Sequence, residues 1–228
     1  SSFPRHQERI RLRQNEYGDG VHYYVKSDGE QWIEDTGFNL HNHFEASTMP
    51  HRLVRMSDMT FVFADIDWEP RKIGDEESAP SPSFVEDRVE NIFFHQNRLG
   101  IMTRTSVVFS RTGDYFNFFP GTALEVLADD PIDVCIATNE VVTLREALPF
   151  NKNLLLRADN NQFILSYTGS RLEPTTVAID QTTQYQTISN SFSAAAGSNL
   201  YFPCPQQNHV AIREYYVKPD SLVEDAAD

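Results

Sequence analysis

The side chains able to do chemistry are few and scattered. His41-Asn42-His43 spells the letters of a nuclease motif, with His51 close behind. That motif works from a hairpin–helix metal site, and no such context surrounds these three adjacent letters. His41 and His43 would share one face of a strand, as residues i and i+2 do. Beyond Glu45, no carboxylate or thiolate completes a zinc set with them. Asp129, Asp130 and Asp133 form a carboxylate cluster. Glycosidase chemistry needs two carboxyls across a cleft. A calcium loop gathers several oxygens around a bend that usually contains Gly. Here Pro131 follows directly and no Gly interrupts the cluster, so it reads as an exposed acidic loop, with a cation site as the alternative. Ser57, Ser106 and Ser110 lack a Gly-x-Ser-x-Gly elbow. Gly18-Asp19-Gly20 is too short and too acidic to cradle a phosphate. Trp32, Trp68 and the tyrosines could stack on sugars, but aromatics of a sheet protein more often serve its core. The sequence therefore assigns no catalytic residue, no cofactor and no metal ligand.

What remains is a scaffold. A chain of 228 residues can bury a sizeable core without staples. Its 40% hydrophobic content excludes disorder, and 16 Phe with 9 Tyr lean towards strands. The formal charge is −14 and it is uneven. Arg5, Arg9, Arg11 and Arg13 against Glu8 give residues 1–14 a balance of +3, which leaves −17 on the rest. Such a body does not grip a nucleic-acid backbone by counterion release, but it can face DNA without holding it. Cys135 and Cys204 fit neither a metal spacing nor a dense disulfide framework, which favours a reduced pair, with one disulfide as the alternative. No run is long and apolar enough for membrane insertion by this segment.

Strand signals dominate the chain. Arg9-Ile10-Arg11-Leu12-Arg13 alternates with period two and sets three arginines on one face. Val21–Lys26 turns through Ser27-Asp28-Gly29 into Gln31-Trp32-Ile33, with Gly29 supplying the positive φ of a tight turn. Asn91–His95 turns through Gln96-Asn97-Arg98 into Leu99–Met102. Asn153–Arg157 turns through Asp159-Asn160-Asn161 into Gln162–Leu165. Asn199–Phe202 turns through the Pro203–Asn208 region into a strand from His209 to Val217. Ser106–Ser110, Tyr115–Phe119 and Thr175–Thr183 add further strands, with Thr112-Gly113-Asp114 as a turn. Val142–Leu148 is expected to form two helical turns before Pro149. Residues 70–83 hold three prolines and an acidic run, and read as a solvated Pro/Ser loop, with a partner-docking loop as the alternative. The fold class expected is all-β: antiparallel hairpins and long loops in a propeller-like arrangement, one β-rich region over 1–228.

Three blocks carry a resemblance. The first is Ala46-Ser47-Thr48-Met49-Pro50-His51-Arg52-Leu53-Val54-Arg55. The second joins Pro82-Ser83-Phe84-Val85, Asn97-Arg98-Leu99-Gly100 and the stretch from Ser110 to Phe119. The third is Asp129-Asp130-Pro131-Ile132-Asp133-Val134. In collinear order they resemble the tail tubular protein B family of T7-like podophages, the tail nozzle proteins. Tyr24-Val25-Lys26, Gly74-Asp75-Glu76, Gln162-Phe163 and Asn199-Leu200-Tyr201-Phe202 extend the resemblance over nearly the whole chain. Family members are much longer, so the resemblance implies an interior piece.

The resemblance implies a structural, non-enzymatic role in the virion tail: part of a hexameric ring that closes the DNA channel until infection. It implies a homo-oligomer that meets the tail adaptor protein and tail fibres, while viral DNA passes without sequence-specific binding. A propeller-like domain is implied as well. The stripe of Arg9, Arg11 and Arg13 is expected to contact an acidic surface elsewhere in the assembly. The alternative, from a different class, is a tail module that binds or degrades bacterial surface polysaccharide.

Overall fold

The computed structural model describes residues 8–13 and 22–217, together with the backbone of 224–227. Strands take 45% of the described residues and helix only 3%, so the class is all-β. The chain opens with a three-stranded antiparallel sheet of β1 (Arg9–Arg13), β2 (His22–Ser27) and β3 (Trp32–Asp35). A separate hairpin follows, β4 (Arg52–Arg55) with β5 (Phe61–Ala64). Three four-stranded meanders come next, each with its strands in sequence order. The first holds β6 (Asn91–His95), β7 (Arg98–Met102), β8 (Ser106–Phe109) and β9 (Ile132–Cys135). The second holds β10 (Leu144–Phe150), β11 (Asn153–Ala158), β12 (Gln162–Tyr167) and β13 (Val177–Thr183). The third holds β14 (Ala194–Ala196), β15 (Asn199–Gln206), β16 (His209–Val217) and β17 (Glu224–Ala227).

Local chemistry accounts for the hairpins. Gln96 and Asn97 both have positive φ, +48° and +59°, which gives the two-residue turn whose twist matches the flanking strands. Gly29 takes φ +101°, and the Asp28 carboxylate accepts from the amides of Glu30 and Gln31. In β6–β7, Gly100 lies opposite Phe93, whose ring occupies the space a Cβ would need. Val21, expected at the start of β2, and Gly18-Asp19-Gly20 lie outside the described residues.

The meanders pack face to face, and their strands serve two cores at once. In β11, Leu154 and Leu156 enter a core shared with Met102, Val107, Phe109 and Ile132 of the first meander. Leu155, between them, enters a different core with Leu200, Phe202 and Tyr215 of the third. β12 divides likewise, with Phe163 and Leu165 on one side and Ile164 on the other. On the far side of the first meander, Leu99, Ile101 and Val108 pack under Trp68, Phe84 and Phe118. Each fully buried Leu or Phe contributes about 1.5–3 kcal/mol, so these shared faces hold the sheets together.

Four expectations are corrected. Val142–Leu148 is not helical; Leu144–Phe150 is an edge strand, where Pro149 is tolerated because no partner needs its missing N–H. Tyr115–Phe119 forms no strand. Asn117 instead bonds the Asp114 carboxylate and the Phe119 amide, and the rings fold onto Phe44, Phe84 and Trp68. Pro203–Asn208 is mostly strand, with only Gln207 and Asn208 turning. β14 pairs only as far as Tyr201, so the prolines fall on a stretch of β15 that β14 does not cover. Residues 70–83 form no strand, yet they are not a solvated connection, since Arg71, Ile73 and Ala79 are buried.

Candidate assembly surface

The structure disperses the residues that could have done chemistry. His41 and His43 line a cleft of about 580 Å³ with Phe44, Phe84 and Phe119. His51 lies elsewhere: it stacks on Phe63 and pairs with Asp65 at 2.8 Å. Asp129 pairs with Arg111. Asp130 is buried and accepts from the amides of Gly121 and Leu127 at 2.9 and 2.8 Å. Asp133 accepts from the amide and hydroxyl of Ser83 at 2.7 and 2.6 Å. Asp129 and Asp130 thus pin the 110–131 connection and Asp133 pins Ser83, so the expected exposed acidic loop is corrected at Asp130, which is buried. Among the described residues no group of three His, Cys, Asp or Glu is placed to hold a metal. Ser57 sits in the turn between β4 and β5. Ser106 and Ser110 are buried, and the Ser110 hydroxyl joins Leu99 to Arg111. Trp68 is core, while Trp32 is 40% exposed on β3. Cys204 is buried, Cys135 is exposed at the end of β9, and neither is in a disulfide among the described residues. No helix of the described residues is long and apolar enough to cross a membrane.

Buried arginines act as fasteners. The Arg98 guanidinium, fully buried at the start of β7, donates to the carbonyls of Ser110, Ala128 and Asp130 at 2.8, 2.9 and 2.6 Å. It also reaches Leu172 O in the loop after β12, at 3.3 Å. Burial lowers its pKa and the nearby Asp129 and Asp130 charges oppose that shift. Arg157, on β11, bonds Glu146, Thr187 and the carbonyls of Ile188 and Ser191. Glu146 in turn accepts from Ser193. Sequence reasoning missed both networks.

The Arg9, Arg11, Arg13 stripe exists as a face of β1, and its members differ. Arg9 pairs with Asp35 at 2.7 Å and donates to Gly37 O, so its charge is used within its own sheet. Arg11 and Arg13 are exposed, and the Arg11 guanidinium lies over the Tyr24 ring.

A second surface was not foreseen. Among the described residues the β4–β5 hairpin pairs with no other strand, and it is exposed along both. Its register places Leu53 opposite Phe63 and Arg55 opposite Phe61, so these four share one face. Leu53, Phe61 and Phe63 are 65%, 63% and 70% exposed. The aromatic and β-branched run Phe61-Val62-Phe63 and the Asp58 turn were the available signals; Asp58 accepts from the Thr60 amide and hydroxyl. The base of the hairpin closes a small apolar cavity with Trp68, Ile92 and Phe94, at the β6 edge of the first meander. At the β9 edge lies a groove of about 470 Å³, lined by Val108, Phe118, Leu124, Val126, Ile132 and Val134. Glu77, Glu125 and Asp133 border it.

Comparison with known proteins shows the family. The bacteriophage nozzle protein family matches residues 6–228. Tail tubular protein gp12 of Escherichia phage T7 is 38% identical over 209 residues, covering 90% of this chain and 26% of that relative. The chain therefore spans about a quarter of the length of the curated relative it matches. The chain belongs to the bacteriophage nozzle protein family.

Proposed function

We propose that this member of the nozzle family is a structural segment of a short-tailed phage tail, forming part of the wall of the DNA-ejection channel and helping to hold it closed until infection. The observation that carries the reading is the family match over residues 6–228. The fold suits it: serial four-stranded meanders packed face to face make a stiff body, with strands supplying most of the two cores they share. In this reading the meanders are blades of a propeller-like region, continued by other parts of the full-length protein. The protein acts as a homo-oligomer, a hexameric ring, in the virion tail, contacting the adaptor and tail fibres and catalysing nothing.

Charge suits the role as well. A conduit should not bind its cargo, and a chain of net charge −14 repels phosphate along any acidic lining. Arg9, Arg11 and Arg13 are the counter-feature, facing an acidic surface of a neighbouring part. Arg11 is the member to test, because Arg9 is tied into its own sheet. Light scattering of the full-length protein should give the mass of a six-subunit ring, and Arg11→Glu should reduce the ring fraction. A monomeric full-length protein, absent from purified virions, would overturn the proposal.

A further inference from the structure

We infer that the β4–β5 hairpin is an arm that seats in the acid-bordered groove beside β9 of a second copy of this chain, joining copies head to tail. The inference rests on the oligomeric nozzle reading above. An isolated two-stranded hairpin is marginally stable in water. This one nevertheless displays Leu53, Phe61 and Phe63 in a row, each more than 60% exposed. Contiguous exposed apolar surface of this kind marks an interaction site.

The groove offers what the arm lacks. Its floor is apolar, formed by Val108, Phe118 and Ile132, and its volume falls in the range of sites that enclose a compact apolar group. Leu124 and Val126 on its wall are 43% and 65% exposed. Among the described residues, Glu77 and Glu125 have no ion-pair partner, and neither do Arg52 and Arg55 of the arm. Pairing these charges across the contact would fix its orientation.

Placement separates the arm from the groove of its own copy, and charge complementarity favours a second copy as the occupant. Arm and groove lie at opposite edges of one four-stranded sheet, β6 on one side and β9 on the other. Three strand spacings separate them, roughly 14 Å. The aromatic cluster of Trp68, Phe84 and Phe118 stands between. One copy's arm is therefore kept from its own groove. Two different patches at opposite edges make a heterologous contact, the kind that closes into rings.

The native Cys135 provides the test. It is exposed on β9, two residues from Asp133 and so on the same face of the strand. In the full-length protein, Met59→Cys at the arm's tip, treated with a short bis-maleimide, should give a ladder of linked copies. Adding Cys135→Ser should abolish it. Arg55→Glu should weaken subunit association roughly tenfold or more, and Glu125→Arg in the same chain should restore it. A ring of normal mass that yields no link between positions 59 and 135 and is unaffected by Arg55→Glu would overturn the arm and leave the nozzle reading standing. A full-length protein that stays monomeric and unlinked would overturn the nozzle reading, and the inference with it.

Discussion

Replacing Arg98 by Met should loosen the junction between the first and second meanders far more than a surface change would. The substitution keeps much of the side-chain length and removes every donor. Three backbone carbonyls, those of Ser110, Ala128 and Asp130, lose charged partners at 2.6–2.9 Å, and Leu172 O loses a weaker one. A hydrogen bond to a charged group is worth about 1.5–3 kcal/mol, and a buried acceptor left unpaired costs about 1–3 kcal/mol. Part of this is offset because a buried guanidinium is itself costly to desolvate. A net loss of about 3 kcal/mol or more follows, roughly a hundredfold or more in local opening. Amide hydrogen exchange of the full-length protein reads it at the right place. The amides of Leu99 and Ser110, which cross-link β7 to the end of β8, should lose that much protection, while those of β16 should not. Arg98→Lys should recover only part of it, because an ammonium cannot fan out to carbonyls on separate loops. Unchanged protection at Leu99 and Ser110 in Arg98→Met would refute the fastener argument.

Three other outcomes can be checked. Burial lowers the pKa of His95, so the folded protein binds this proton less readily than the unfolded chain. Stability should therefore fall as pH drops below about 6.5, and His95→Gln should flatten that part of a urea-midpoint profile. Gly100→Ala would drive a Cβ into the Phe93 ring. It should cost about 1–3 kcal/mol, measured by thermal unfolding, and Phe93→Leu in the same chain should recover part of it. Glu146→Ala removes the carboxylate beside the buried Arg157 guanidinium and should cost about 3–5 kcal/mol. Limited proteolysis should then show new cleavage between residues 187 and 193, the segment this pair holds.

What was legible in the sequence was whatever depended on neighbours in the chain. β2–β3, β6–β7 and β11–β12 announced themselves by apolar runs flanking turn residues, and Gly29 and Asn97 take the backbone those turns need. The family resemblance was legible too, because collinear blocks survive without knowledge of contacts. What failed depended on partners distant in sequence. Tyr115–Phe119 has the composition of a strand, but it pairs with no strand among the described residues, and Trp68 and Phe84 capture its rings. Glu146 and Ala147 favour helix locally, yet pairing with Arg157 and Leu156 makes them strand. Arg98 follows a turn and reads as surface; only the fold reveals that carbonyls from two connections, 110–131 and 168–176, converge on it. The arm was overlooked because its apolar residues lie in exposed strands, where composition alone suggests core.

The division of β11 and β12 between two cores has a consequence for how this protein can change over generations. Leu155 and Ile164 belong to one core, their immediate neighbours to another. A substitution at any one position injures a single core and can be repaired by a nearby compensating change. A codon gained or lost within β11 is different, because it sends every side chain beyond it to the opposite face and exchanges the contents of both cores. Length variation among relatives should therefore collect in the connections, such as 136–143 and 168–176, while the strands drift only by replacement.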